Sequence, residues 1–448
     1  MMFPLLAAAL LAAPPDRPAI LIFGTGWGAE GTQASIEAHA LSLAAAVPPD
    51  QLLIGGGPQL RSIQADGAYD ELADLLGLVL DRRDGLHVEY RRPQRSDVGA
   101  ATKAGLLQAL DRLIAQARPV VVWGAGHGSG ASDDQPASLE LWGPDDQLDV
   151  TSLALHLDQA ALKAHVAFVL GQCHSGAFAD LMYAGGDPKR GLATPTRCVL
   201  AAVPADREAA GCTADLGHPD ARAYLAVFAE ALSNKSTDAN SDGRIGLDEA
   251  HAYALIHDST IDLPVKSSEV WLERQRRLPE LVKVRKKDLS GARPVEQQVL
   301  MALAPEGLNE PPQIARALAE LRTEEEKKAR AHEDALHEEA AVRRRVSDRL
   351  LAEWPELTNP FHPKARALLN TQADALKARI LGDPEWVELK AKVEASLATE
   401  DAALAVGRRR ARLERYEATA RHVAARARLG RGPRATLERL YGCESTGL

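Results

Sequence analysis

Cysteines, long apolar runs and an excess of positive charge are all lacking in this chain of 448 residues. Its four cysteines are too few for a disulfide-built scaffold or for a zinc module with paired CxxC motifs. No run of about 18 apolar residues occurs, so we expect no membrane span. The net charge of −9 argues against a dedicated nucleic-acid or acidic-membrane binder, which needs a basic face. The chain does have 46% apolar residues, enough for ordinary cores in two or three domains.

Residues 1–16 have the character of a signal peptide. Phe3–Ala13 is apolar, ends in small residues and is too short to span a bilayer. However, no Lys or Arg precedes it, and Pro14 follows directly, which is a poor cleavage context. The favoured interpretation is a signal peptide, which makes the protein periplasmic or secreted. The alternative is a frayed segment or a start site placed too early, which leaves the protein cytoplasmic.

Short apolar runs alternate with helical stretches over residues 17–265. The runs are continuous rather than alternating, which is typical of parallel strands that are covered on both faces. They are Ala19–Phe23, Leu52–Ile54, Pro119–Trp123, His165–Leu170 and Arg197–Val203, and Leu86–Tyr90 is a possible further strand. This pattern predicts a doubly wound α/β sandwich with a mostly parallel sheet.

Strong helix formers dominate the second half of the chain. Between Leu308 and Val406 there is one glycine, and the stretch is rich in Ala, Leu, Glu, Lys and Arg. We predict a linker over 266–300 and an all-α domain over 301–448, with helices near 313–353, 364–381, 385–428 and 432–442. Its charge runs alternate in sign, which favours a solvated surface; the alternative is a surface that binds a protein partner.

Two of the predicted strands end in glycine-rich turns that carry reactive side chains. The run that ends at Trp123 leads into GAGHGSG with His127, and the run that ends at Leu170 leads into GQCHSG with Cys173. Ligands and catalytic groups lie at the carboxyl ends of the strands in an open parallel sheet. A thiol becomes a nucleophile when a base removes its proton, so this pair predicts thiol catalysis. Taken singly, a cysteine such as Cys173 is more often a buried, inert thiol, and a histidine such as His127 is more often an ordinary turn residue.

A Cys with its His about 50 residues upstream is the arrangement of caspases. With the HGSG and QCHSG motifs, the chain resembles the cysteine peptidases of the caspase, metacaspase and legumain clan. The run from Ala201 to Cys212, with its Ala-Ala-Val-Pro start, resembles the legumain branch. The resemblance covers about residues 18–260 and implies a caspase-like three-layer sandwich that hydrolyses protein or peptide substrates without an organic cofactor. It implies Cys173 as nucleophile, His127 as acid and base, and the N–H groups of Gly128 and Cys173 as the oxyanion site.

The resemblance also suggests substrate-binding residues. His174 follows the nucleophile and is either a wall of the substrate pocket or a side chain turned away from it. Asp206, Arg207 and Glu208 lie where relatives build their first specificity pocket, the alternative being solvated loop charges. Metacaspases carry an acid two residues before the nucleophile, and this chain has Gly171 there, which puts a preference for Arg or Lys in doubt.

Residues 238–249 match the twelve-residue EF-hand template for Ca²⁺. The predicted ligands are the side chains of Asp238, Asn240, Asp242 and Glu249 and the main-chain carbonyl of Arg244. Only one such loop is found, so we expect a structural ion rather than a sensor; the alternative is a relic loop without metal. If the protein is exported, Cys198 and Cys212 are candidates for a disulfide, and Cys443 is expected to be unpaired.

Two further functions stay open beside the endopeptidase. One is a catalytically silent, calcium-dependent adaptor, suggested by the helical tail and the uncertain pocket. The other is a transpeptidase of the same fold, because relatives of legumain include transamidases.

Overall fold

The structure, a computed structural model, describes residues 17–67, 69–81, 86, 88–211, 223–275, 284, 286–307, 310–359 and 362–448. The predicted signal peptide at 1–16 and Cys212 lie outside the described residues. In the parts of the chain that are described, no helix combines the length and the apolar character needed to cross a membrane.

Most of the strands form one six-stranded sheet. The strands are β1 (Ala19–Thr25), β2 (Gln51–Ile54), β3 (Ile63–Asp66), β4 (Val88–Arg91), β5 (Val120–Gly126), β6 (Gly128–Ser129), β7 (Ser138–Glu140), β8 (Gln147–Asp149), β9 (Val166–Leu170), β10 (Arg197–Ala201) and β11 (Val265–Lys266). The sheet order is β11-β10-β9-β5-β1-β2, and only β11 runs antiparallel to its neighbour. The predicted α/β fold with a mostly parallel sheet is therefore confirmed.

The helices of the sheet region cover both of its faces. They are α1 (Gln33–Ala46), α3 (Lys103–Ile114), α4 (Val150–Gln159), α5 (Tyr224–Ser233), α6 (Leu247–His257) and α7 (Ser267–Glu273), and a 3-10 helix spans Ser175–Met182. Helix α2 (Glu71–Val79) packs instead with apolar residues between Val342 and Val393. Successive strand residues point to opposite faces. Val122 and Phe168 pack with α3 and α4, whereas Trp123 and Val169 pack with α1, α5 and α6. The result is three layers, with the sheet in the middle.

The possible strand at Leu86–Tyr90 is present as β4, but it lies outside the main sheet. Strand β4 instead pairs with β3 in a separate antiparallel ribbon, with Ala65 opposite Glu89. Only alternate residues of β4 are apolar, so one face of the strand suits water. Its composition therefore fits a peripheral ribbon better than a buried parallel strand.

Helices make up most of the remaining chain. They are α8 (Lys286–Leu289), α9 (Pro294–Leu303), α10 (Pro311–Glu353), α11 (Pro363–Thr371), α12 (Ala373–Leu381), α13 (Trp386–Ala427) and α14 (Arg431–Glu444). The two long helices, α10 and α13, run antiparallel, because Arg345 bonds Glu385 near one end and Arg410 bonds Glu325 near the other. The C-terminal helical region is thus confirmed, while the range 266–300 holds α7, α8 and α9 rather than a plain linker.

The helical region packs closely on the sheet region. A disulfide joins Cys443 of α14 to Cys198 of β10, and both residues are buried. The expectation that Cys443 is unpaired is therefore wrong, and Cys198 is not left for Cys212. The sequence suggested the nearer partner, but folding brings α14 against the sheet from 245 residues away.

Candidate active site

The turns that follow β5 and β9 leave the same edge of the sheet side by side. Gly124 is paired with Leu170, and His127 and Cys173 each come three residues later. Their separation of 46 residues is therefore the register offset of the two strands. The predicted nucleophile and base thus occupy equivalent positions beyond neighbouring parallel strands.

Gly128 brings these two turns into contact. A Cβ at this position would lie 2.5 Å from the main-chain oxygen of Cys173 and 2.6 Å from Cγ of Gln172, so the close approach requires glycine. Gly128 also faces Leu139 of β7. Because the neighbouring bond runs from Glu140 N–H to the His127 carbonyl (3.1 Å), the Gly128–Leu139 pair is of the type without ladder hydrogen bonds. The Gly128 N–H therefore takes no part in that ladder.

The imidazole of His127 is held by the turn that follows β1. Its Nε2 lies 2.7 Å from Oγ1 of Thr32 and 3.1 Å from the carbonyl oxygen of Gly31. Thr32 Oγ1 itself donates to that carbonyl at 2.8 Å, so the hydroxyl accepts from the imidazole. The hydrogen of a neutral His127 is therefore on Nε2, and Nδ1 keeps its lone pair.

Partial burial keeps His127 in the neutral form. Desolvation lowers its pKa, and the Gly31 carbonyl and the negative charge of Glu140 oppose this only in part. The ring of Trp27 covers it, with a centroid distance of 4.6 Å. A neutral imidazole with a lone pair on Nδ1 is suited to accept a proton.

The sulfur of Cys173 lies against the loop that follows β10. The N–H of Ala209 donates to Sγ at 3.3 Å, and the carbonyl of the same residue lies 3.9 Å away. The N–H can donate to a thiolate and the carbonyl can accept from a thiol, so the loop offers a partner to either form of the sulfur. The residue is half-buried and has no disulfide.

His174 adopts a left-handed backbone conformation, with φ of 58°. Its N–H donates to the Arg207 carbonyl at 2.8 Å, and Nδ1 lies 2.9 Å from the carbonyl oxygen of Ala205. A Cβ at Gly130 would lie 3.0 Å from its ring. A strained residue directly after the candidate nucleophile ties the site to the β10 loop, and its ring packs between that loop and the turn after His127.

The three charged residues of the β10 loop are not equivalent. Asp206 and Glu208 are exposed, whereas Arg207 forms an ion pair with Glu414 of α13 at 3.4 Å. Asp206 and Arg207 line a cavity of about 490 Å³ that α13 closes from the other side. The loop therefore contacts the helical region, which the sequence did not suggest.

Leu225 of α5 covers Gly171, two residues before Cys173. A Cβ at Gly171 would lie 2.4 Å from Cδ1 of Leu225. A longer acidic side chain would need still more room, so this position is closed to one. The packing of Leu225 therefore agrees with glycine at position 171, where metacaspases carry an acidic residue.

The predicted calcium loop has an EF-hand-like backbone course. Ser241 and Gly243 have positive φ (60° and 84°), which turns the chain back on itself. Asp238 accepts the Gly243 N–H at 2.9 Å, and Glu249 accepts the N–H of Ala239 at 2.8 Å. Glu249 thus reaches across the loop toward its first residues, which is where the template needs it.

The carboxylates of this loop do not converge into a metal cage. Within the described ranges, no group of three or more His, Cys, Asp or Glu side chains has that geometry. Two of the five template donors, Asn240 and the carbonyl of Arg244, are of other kinds. The donor chemistry and the backbone course fit Ca²⁺, so the metal stays a proposal.

Residues 446–448 pair with the calcium loop. Gly447 forms an antiparallel bridge with Gly246, and Leu448 N–H donates to the Ile245 carbonyl at 3.2 Å. EF-hand loops usually occur in pairs, and the sequence offered one. Here a strand-like segment from the end of the helical region lies beside the loop.

Sequence reasoning missed Thr32, Trp27 and Ala209. The first two lie in the turn after β1, the strand next to β5, so the rule that sites form at carboxyl ends also applied there. Ala209 contributes only its main chain, for which the side-chain pattern has no signal. No protein-family model matches this chain, and no curated protein shows significant similarity to it.

Proposed function

We propose that this chain is a caspase-like cysteine endopeptidase that hydrolyses peptide bonds through Cys173 and His127. The observation that carries the proposal is the shared register of the two turns, together with the contact between Gly128 and Cys173. The neutral imidazole and the N–H bond to Sγ support it, because a dyad needs an available base and a stabilised thiolate.

The chemistry follows from these groups. Nδ1 of His127 takes the thiol proton as Sγ of Cys173 attacks the carbonyl carbon of the scissile bond. The N–H groups of Gly128 and Cys173 receive the charge that develops on the carbonyl oxygen. The imidazolium then protonates the leaving amine, and the C–N bond breaks to give a thioester. Water attacks the thioester, gives its proton to His127, and the thiol is regenerated with release of the acid product.

Labelling with a thiol-directed peptide electrophile tests this proposal. We expect Cys173→Ala to abolish both labelling and peptide cleavage, and His127→Ala to slow cleavage by about 10²-fold or more. His165→Ala is the matched control, because His165 is also half-buried with a pKa lowered by burial, but lies at the other end of β9. Unchanged labelling of Cys173→Ala would refute the assignment.

The same experiment separates the alternatives. Wild-type protein that reacts with none of a panel of such electrophiles, with or without Ca²⁺, is the result expected of a silent adaptor. Products that carry an added amine acceptor, identified by mass, are the result expected of a transpeptidase. Hydrolysis products alone favour the endopeptidase.

We further propose a structural Ca²⁺ held by Asp238, Asn240, Asp242, Glu249 and the carbonyl of Arg244. The ion would brace the turn that begins α6. We also propose export of the protein, which the buried Cys198–Cys443 disulfide supports, because such bonds persist in oxidising compartments.

A further inference from the structure

The loop that contacts the sulfur is anchored by a buried carboxylate. The Ala209 N–H donates to Sγ of Cys173, and the N–H of the next residue, Ala210, donates to Oδ1 of Asp262 at 2.7 Å. The side chain of Asp262 is fully buried, and burial together with the nearby Asp258 raises its pKa. Two consecutive peptide groups thus fix the loop, one at the sulfur and the other at Asp262.

Arg415 of α13 holds the segment that carries Asp262. Its side chain is 2% exposed, and it donates to main-chain oxygens of residues 255, 258, 260 and 262. The bonds to the Asp262 carbonyl measure 2.9 and 2.6 Å. A planar guanidinium can reach several carbonyls at fixed angles, which a lysine ammonium cannot do. The segment from Leu255 to Asp262 is therefore shaped around this arginine.

A second anchor lies at the other end of the same loop. Glu414, the residue before Arg415, pairs with Arg207 at 3.4 Å, and the Arg207 carbonyl accepts the His174 N–H at 2.8 Å. Two consecutive residues of α13 thus hold the loop on both sides of Ala209. Buried charged groups cost desolvation, and packed apolar side chains often stabilise a fold as well or better, so stability alone is a weak reason for their presence.

We propose that α13 positions the candidate nucleophile, with Arg415 and Asp262 as positioning residues that aim the Ala209 N–H at the Cys173 sulfur. The inference rests on the proposed function for the role of the thiol, but its geometry is independent of any substrate. Without the anchor, the loop loses its fixed distance to Sγ, and the thiolate loses a hydrogen bond. The C-terminal helical region is then part of the site rather than an appendage.

Alkylation of Cys173 by iodoacetamide tests this directly. The rate is measured on the full chain at neutral pH by quantifying the modified tryptic peptide 164–189. We expect Asp262→Ala and Arg415→Met to slow alkylation about 10-fold, the size expected when a thiolate loses one hydrogen bond. Asp262→Asn keeps an oxygen that accepts from Ala210, so it should restore the wild-type rate.

Asp258→Ala is the matched control. Asp258 is buried beside the same guanidinium, at 3.5 Å, and its carboxylate accepts from Thr260 rather than from the β10 loop. We expect it to lower the melting temperature without slowing alkylation. Unfolding exposes a thiol and speeds its alkylation, so slower alkylation does not come from a failure to fold. Equal slowing in Asp258→Ala, no slowing in Asp262→Ala, or no rescue by Asp262→Asn would each overturn the proposal.

These outcomes are separate from those of the endopeptidase test. Slow alkylation of Asp262→Ala in a protein that cleaves no peptide would leave the positioning role in place and refute the proposed function. Peptide cleavage by the wild type, with unchanged alkylation in Asp262→Ala, would support the proposed function and refute the positioning role.

Discussion

Breaking the Cys198–Cys443 disulfide should cost the protein several kcal/mol of stability. The bond closes a loop of 245 residues. In the chain-entropy account, a loop of that length restricts the unfolded state by about 5.5 kcal/mol at 25 °C. At about 2.1 cal/mol/K of unfolding entropy per residue, this corresponds to a fall in melting temperature of about 6 °C if the 448 residues unfold together.

The measurement compares oxidised protein, reduced protein and the double variant Cys198→Ala, Cys443→Ala by calorimetry. We expect the oxidised wild type to melt highest. The double variant also loses two buried sulfurs, so its melting temperature should be no higher than that of the reduced wild type. Peptide mapping without reduction should recover a fragment in which the β10 and α14 segments are linked.

Equal melting temperatures for oxidised and reduced wild type would refute this reasoning. A mapped bond between Cys198 and Cys212 would refute it in another way. That pairing closes 14 residues and predicts only about 3 kcal/mol, so the size of the effect and the map should agree.

Three further predictions address the base, the metal loop and the helical region. Because burial lowers the pKa of His127, its imidazole is mostly neutral at pH 6.5 and takes up a proton at a lower pH. The acid limb of kcat/KM that it controls should therefore lie below pH 6.5, and a limb above that value would contradict this. Glu249→Gln should abolish the rise in melting temperature that Ca²⁺ gives over chelator. The control Glu269→Gln, at the same capping position of α7, should leave that rise intact. A rise that persists in Glu249→Gln would refute Ca²⁺ binding by this loop. Asp383→Asn should lower the free energy of unfolding in denaturant by about 2 kcal/mol, because Arg349 donates to this buried carboxylate and lowers its pKa. The control Glu394→Gln, in an exposed ion pair, should lower it by about 0.5 kcal/mol or less, and equal losses of stability would contradict the argument.

The elements that local pattern determines could be predicted well. Helices α10 and α13 lie close to the predicted ranges 313–353 and 385–428, and the continuous apolar runs before His127 and Cys173 are buried neighbouring strands. Apolar periodicity and glycine-rich turns act over a few residues, so they can be read locally. The same pattern brought the two candidate catalytic residues to one edge of the sheet.

Features that depend on distant segments could not be predicted in this way. The partner of Cys198 is 245 residues away, and Arg415 meets the 255–262 segment through main-chain carbonyls, which leave no trace in side-chain pattern. Thr32 could have been predicted, because it directly precedes α1 in the turn that follows β1. The position of the strand at Leu86–Tyr90 could not be predicted for another reason, since a short strand-like pattern does not tell which sheet the strand joins.

The packing also explains why composition and structural unit divide the chain differently. Composition changes where helix formers become dominant, but residues 431–448 belong with the sheet by contact. Cys443 is bonded to β10, the buried Glu444 accepts the Ser268 N–H of α7, and Gly447 bridges Gly246 of the predicted calcium loop. Removal of α14 would therefore expose the part of β10 that it covers. It would also leave the buried Ser268 N–H without its hydrogen-bond acceptor, which costs free energy. Helix α13 contributes Arg415, which holds the 255–262 segment, and Asp262 of that segment anchors the loop beside Cys173. A boundary drawn where the composition changes therefore cuts through the contacts that hold the candidate site.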